Sequence, residues 1–113
     1  MRHRSAVTES EFESLADAAL AALERAFERQ APDLDLQAKG SGLLEIEFDD
    51  GSKMVINRHT AAREIWVAAR SGGFHFRHDG SGWRDSRDGG ELFAAVSRLA
   101  TQQAGVPVLL DGG

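Results

Sequence analysis

Leu44, Ile46 and Phe48 alternate with Glu45, Glu47 and Asp49, and Asp50-Gly51 follows at once. Period-two alternation marks a strand with one buried face, and Asp-Gly is a hairpin turn signal. This combination constrains the fold most, because a strand that turns within two residues returns antiparallel. The return runs from Lys53 to Arg58, with Met54 and Ile56 on one face. Glu64 to Arg70 reads as a further strand through Ile65, Trp66 and Val67. Ser71-Gly72-Gly73 turns into Phe74-His75-Phe76, and Asp79-Gly80-Ser81-Gly82 precedes a short strand around Trp83. Leu34 to Lys39 fits an additional strand. Hairpin-length connections favour a meander over parallel crossovers.

Helical periodicity flanks this block. Thr8 and Glu11 have capping-box spacing. Behind them Phe12, Leu15, Ala16, Ala19, Leu23, Ala26 and Phe27 recur at three and four, giving a helix to about Arg29. Pro32 limits its continuation. A second helix is expected to open at Asp88, with Glu91 three residues on and Leu92, Phe93, Val96, Leu99 and Ala100 on its apolar face. Gly105 and Pro107 end it, and Val108-Leu109-Leu110 is an apolar tail that should pack. The expected fold is α+β, a two-layer α/β sandwich. Two helices cover one face of a five- or six-stranded antiparallel sheet, and the other face looks toward solvent or a partner.

The 113 residues suit one domain, since ~100–200 residues is the usual range. Residues 1–8 have no apolar signal core and read as a disordered lead, with a single domain over 9–113. The chain has no cysteine, which excludes disulfides, thiolate zinc sites, a Cys nucleophile and a thiolate-held iron–sulfur cluster. A formal charge of −5 argues against a nucleic-acid partner. No apolar run approaches the ~20 residues of a membrane span. A cytoplasmic protein is the expectation.

The charge is uneven. Residues 1–50 hold twelve Asp and Glu against five Lys and Arg, net −7, whereas residues 51–113 hold six against eight, net +2. At 100° per residue, Glu13, Asp17, Glu24 and Glu28 fall within about 60° of one another. Glu13/Asp17 and Glu24/Glu28 are like-charge i,i+4 pairs, each costing about 0.2–0.5 kcal/mol. Asp33, Asp35, Glu45, Glu47, Asp49 and Asp50 continue the acidity. Two readings stand: a solvated face, or a surface for a cation or a basic partner. Carboxylates suit hard cations such as Mg²⁺, Ca²⁺, Mn²⁺ or iron. No EF-hand loop, His-x₃-His or helical Glu-x-x-His is present, so metal binding should be weak, multi-site and salt-sensitive.

His3, His59, His75 and His78 lack metal spacing on a helix and read as packed or surface histidines; His75 and His78 should point to opposite faces. If Ile65 and Val67 face the core, Trp66 points outward. By the same logic from Met54 and Ile56, so does Asn57. An exposed Trp is an interface candidate. With no Gly-x-Ser-x-Gly elbow and no phosphate loop, an enzyme is not expected.

Taken in order, several segments resemble bacterial frataxins. They are Ser10-Glu11-Phe12 with Leu15-Ala16-Asp17, Gly51-Ser52-Lys53, Ile56-Asn57-Arg58, Trp66-Val67-Ala68, Gly72-Gly73-Phe74-His75-Phe76, and Ala100-Thr101-Gln102-Gln103-Ala104-Gly105. The resemblance runs from about Ser10 to Pro107. It implies iron, Fe²⁺ or Fe³⁺, bound along an acidic ridge of the first helix and first strand, with no iron–sulfur cluster held. It also implies binding to the cysteine desulfurase and the scaffold protein of iron–sulfur cluster assembly, as an iron-dependent regulator or iron donor. The ridge candidates are Glu24, Glu28, Asp33, Asp35 and Asp49, to which the helical stripe adds Glu13 and Asp17. Asn57 and Trp66 match the family's exposed sheet surface, and Glu24 and Glu28 are candidates for partner contact as well. The expected state is a monomer, with oligomers dependent on iron. The chain departs from the family pattern at His59, Ala61 and Glu64, where Gln, Pro and Gln are usual. It departs again at Arg25 and Arg29, where bacterial members often carry acids.

Overall fold

A computed structural model describes residues 7–112 of the chain. Helix α1 spans Glu9–Gln30. Its N-terminus is fixed by a complete capping box: Thr8 Oγ1 accepts from the Glu11 amide at 3.1 Å, and Glu11 Oε1 accepts from the Thr8 amide at 2.9 Å. Of the expected lead, residues 1–6 lie outside the described residues. Thr8 is this cap, and Val7 packs on the core while its carbonyl accepts from Arg63 Nε at 3.3 Å.

Six strands follow: β1 Asp35–Ala38, β2 Leu43–Glu47, β3 Lys53–His59, β4 Glu64–Ala69, β5 Gly72–His78 and β6 Trp83–Asp85. They form one antiparallel sheet in sequence order, the meander that the short connections require. Leu44, Ile46, Met54, Ile56, Ile65, Val67, Phe76 and Trp83 face the helices and are buried. They close one core with Phe12, Leu23 and Phe27 of α1 and Leu92, Val96 and Leu99 of the second helix. Each such large side chain contributes about 1.5–3 kcal/mol on burial. A single 3₁₀ turn at Thr60–Ala62, closed by Arg63 at φ 55°, joins β3 to β4.

The second helix, α2, spans Leu92–Ala104, so it begins later than the Asp88 spacing predicts. Gly89 has φ 76°, a left-handed conformation that cannot start a helix. Asp88 bonds only the nearby Gly90 amide, at 2.8 Å. Glu91 is the cap instead, and its carboxylate accepts from the amides of Phe93 and Ala94 at 2.9 and 3.0 Å.

The tail packs as expected at Val108 and Leu110, while Leu109 is exposed. The Ser97 hydroxyl accepts from the Leu110 amide at 2.9 Å, and Thr101 Oγ1 accepts from the Val108 amide at 2.8 Å. Buried Gln103 ties α2 to the strand turns: Nε2 donates to Ser52 Oγ at 2.9 Å and to the Lys53 carbonyl at 3.0 Å, and Oε1 accepts from the Arg70 amide at 3.2 Å. Among the described residues no helix is long and apolar enough to cross a membrane.

Candidate functional site

The helical stripe does not lie opposite the core. Leu20 falls about 20° from Glu13 on the helix wheel, within the arc next to the acids, yet it is buried. The stripe therefore runs along the flank where α1 meets the sheet. Glu13 and Glu24 are half-buried there, and Asp17 and Glu28 are exposed. Asp17 and Glu24 line one cavity of about 220 Å³ with Leu20, Gly40 and Gly42. Asp17 is held by Arg58, whose Nη1 lies 2.6 Å from its Oδ1. Glu13, Glu24 and Glu28 make no ion pair among the described residues.

Asp33 and Asp49 come together on the walls of a second cavity of about 340 Å³, with Gln30, Leu34 and Pro107. Asp49 sits in the β2–β3 turn. That turn is held by Asp50, which accepts from the Ser52 amide at 2.8 Å and from Arg70 Nη1 at 2.7 Å. The hydrogen bonds from Ser52, with Arg70 beside it, lower the Asp50 carboxyl below the usual carboxylate range.

Asp35 belongs elsewhere. Because Leu36 turns toward the core, Asp35 faces outward on β1, opposite Glu47. It shares a shallow hollow with Glu45, Glu47, Lys39 and Lys53. Hydrogen bonds from Lys39 and then Lys53 lower the Glu45 carboxyl, so that patch is largely neutralised. Arg29 reaches Asp111 at 3.4 Å rather than the acidic stripe. Among the described residues no group of three or more His, Asp or Glu is arranged to hold a metal ion. The acids form a dispersed flank, not a cage.

The outer sheet face carries the second candidate region. Register places Leu43, Asn57, Trp66 and His75 in one row across β2 to β5. Trp66 points outward and is half-buried. Its indole is stacked on both sides: His59 lies 3.8 Å away at 10° and His75 lies 4.7 Å away at 12°, centroid to centroid. Its Nε1–H donates to Glu64 Oε1 at 2.7 Å. Glu64 is buried, 7% exposed, and its other oxygen accepts from Arg77 Nε at 2.8 Å. Burial pushes the Glu64 carboxyl up, but the hydrogen bonds from Trp66 and Arg77 outweigh it and the net shift is down. His75 Nδ1 is 3.5 Å from Glu64 Oε1.

Asn57 donates to the Arg58 carbonyl at 3.3 Å. His59, Glu64 and His75 are the residues that sequence reasoning left outside the site. Period two from Trp66 sends Glu64 to the same face, but His75 comes opposite Trp66 only through the register that the Arg70-Ser71 turn sets. His75 and His78 do face opposite sides, His78 packing edge-on to Trp83 at 5.1 Å.

The chain matches the frataxin-like domain over residues 5–106. It belongs to the frataxin family. It is 55% identical over 102 residues to the iron-sulfur cluster assembly protein CyaY of Dechloromonas aromatica, covering 90% of this chain and 97% of that protein. Identity is 50% over 107 residues to the CyaY protein of Cupriavidus metallidurans, covering 92% and 96%. Among solved structures, the frataxin of Psychromonas ingrahamii superposes with a TM-score of 0.82 at 29% identity, covering 91% of this chain and 97% of that one. The trimeric frataxin of Saccharomyces cerevisiae, solved with ferrous iron, superposes at 0.62 and 22% identity, covering 93% of each, and shares the fold. In this frataxin both candidate regions, from Glu13 to Trp66, lie inside the matched span.

Proposed function

We propose that this frataxin is a non-catalytic, cytoplasmic protein of iron–sulfur cluster assembly that binds iron weakly along the α1 flank. It docks on the cysteine desulfurase and scaffold protein as an iron-dependent regulator or iron donor. The single observation that carries the iron reading is the unneutralised part of the flank: Glu24 and Glu28 on α1, with Asp33 and Asp49 facing one cavity. The Glu24/Glu28 like-charge pair costs helix stability with no ion pair to offset it among the described residues, a cost that a bound cation would relieve. Oxygen-only ligands suit iron as cargo, bound at several sites with solvent completing the shell. Trp66 and Asn57 on the outer sheet face are the docking residues for the partner, and Glu24 and Glu28 serve it as well.

The lack of a three-ligand group among the described residues favours one further reading. In it the acidic flank recognises a basic patch on a partner protein, and metal is incidental. Anaerobic Fe²⁺ titration of the ¹⁵N-labelled protein separates the two. Iron binding predicts selective amide broadening at Glu13, Asp17, Glu24, Glu28, Asp33, Asp35 and Asp49; broadening confined elsewhere ends the site assignment. A pull-down of the desulfurase that depends on Glu24 and Glu28 equally with and without Fe²⁺ favours direct charge recognition.

A further inference from the structure

We infer that the His59–Trp66–His75 stack is a proton-operated cover over the Trp66 indole. The inference deepens the reading of the outer sheet face as a docking surface and rests on it. The geometry separates the two histidines. His75 is half exposed, and its Nδ1 points at Glu64 Oε1 from 3.5 Å, with no closer partner among the described residues. His59 Nδ1 is buried without a hydrogen-bond partner, so a proton placed there would have no acceptor. The proton the cluster is built to receive sits on His75.

A protonated His75 gains two contacts at once. It forms an ion pair with Glu64, and its imidazolium lies over the indole face, a cation–π geometry within the ~6 Å that such contacts need. Without the proton both contacts weaken, and the half-exposed ring is free to leave the indole. The face of Trp66 then opens to a partner's planar or apolar group. Histidine is the side chain suited to making this change between pH 5 and 8.

The surrounding charges are consistent with a single local switch. On β4, Glu64 is the register partner of His59 and contacts His75. On β5, Arg77 is bound to Glu64, and on β6 Arg84 turns to Asp79 at 3.6 Å. Past β6, Arg87 donates to the Gly73 carbonyl and packs on Phe74, 4.9 Å from its centroid. Beside the 3₁₀ turn, Arg63 reaches the carbonyls of Val7 and Thr60, and Arg58 turns away to Asp17. Glu64 is therefore the one carboxylate these contacts bring to the stack.

The test uses the free, full-length protein. The Trp66 and Trp83 indole N–H resonances are followed from pH 5.5 to 8.5, with acrylamide quenching corrected for fluorescence lifetime at each pH. Trp83 is buried, so acrylamide reports Trp66. The expected result is that the Trp66 indole resonance moves together with the His75 ring protons and Trp83 does not. The quenching constant should rise about two- to five-fold from pH 6 to pH 8, the ratio a single exposed cation–π contact supports. In His75→Gln both changes vanish, whereas His59→Gln keeps them. A Trp66 resonance that stays fixed while His75 titrates overturns the inference, as does an unchanged pH response in His75→Gln. Partner binding that is insensitive to Trp66→Ala overturns the docking reading instead, and leaves the cover to be judged by the free-protein data.

Discussion

Replacing Glu64 with Gln tests whether the buried carboxylate organises the outer sheet face. The change preserves volume and leaves one neutral oxygen for the Trp66 Nε1–H, now 2.7 Å from Oε1. A hydrogen bond to a charged group contributes about 1.5–3 kcal/mol and one between neutral groups about 1, so weakening this contact costs roughly 1 kcal/mol. The Arg77 contact adds at most about 1 kcal/mol, because the Arg77 side chain is 62% exposed and solvent screens it. The expected loss at pH 7 is therefore about 1–2 kcal/mol. That corresponds to a fall in the urea midpoint of roughly 0.5–1.5 M for a domain of this size. The pH dependence is the sharper readout. Glu64 titrates below its ordinary value of 4.5 in the folded protein. Its contribution is thus present above pH 4.5 and disappears as the pH falls through the folded-state value. Urea melts of wild type and Glu64→Gln should differ at pH 7 and converge as the pH falls below 4.5. A gap that persists unchanged at low pH would mean the loss comes from altered packing, and the electrostatic account of Glu64 would be wrong.

Two further outcomes are expected. Gln103→Ala removes three hydrogen bonds at a buried position and leaves the Arg70 amide and Lys53 carbonyl without this partner; it should cost about 2–3 kcal/mol and lower the calorimetric Tm by roughly 8–20 °C. Glu28→Lys converts the Glu24/Glu28 repulsion into an i,i+4 attraction and should stabilise the protein by about 0.4–1 kcal/mol in denaturant melts while reducing Fe²⁺-induced broadening at Glu24; a variant that is more stable and keeps the wild-type iron response would detach the stripe from iron.

The meander was legible because its turn residues left no other connection: Asp50-Gly51 and Asp79 to Gly82 sit where a strand reverses, and at the third reversal the turn is Arg70-Ser71, with Gly72-Gly73 already paired in β5 rather than part of the turn as the sequence suggests. Helix α1 was legible from Thr8 onward for the same local reason, a capping box followed by a regular stripe. Leu20 was missed because the wheel places it beside the acids. Its burial depends on the β1–β2 edge that covers that flank, which is tertiary information. The start of α2 was misplaced because Asp88 and Glu91 imitate a capping box, and spacing alone does not register that Gly89 adopts a left-handed conformation. At the candidate site, residue directions were legible and neighbours were not. Period two sent Trp66 and Asn57 outward, but only strand register brings His59, Glu64 and His75 around the indole. The ridge met the same limit, since the β1–β2 register puts Asp35 beside Glu45, Glu47, Lys39 and Lys53 rather than beside α1.

The two candidate surfaces meet at adjacent residues of β3. Asn57 points to the outer face, while Arg58, its side chain mostly covered, crosses to α1 and binds Asp17. Arg58 therefore occupies with a fixed cation the place where the stripe would take a mobile one. Asp17 and Glu24 share a cavity, yet Arg58 leaves Glu24 as its only uncompensated carboxylate. Iron at this end of the flank must displace a guanidinium, so the Asp33–Asp49 end should fill first. Arg58→Gln tests this. Asp17 is 55% exposed, so losing the pair should cost under about 1 kcal/mol of stability. The variant should gain Fe²⁺ broadening at Asp17 and Glu24 at low iron, with Asp33 and Asp49 unchanged. If Asp17 responds to Fe²⁺ no more in Arg58→Gln than in wild type, the stripe near Asp17 is not a cation site, and its charge serves protein contact alone.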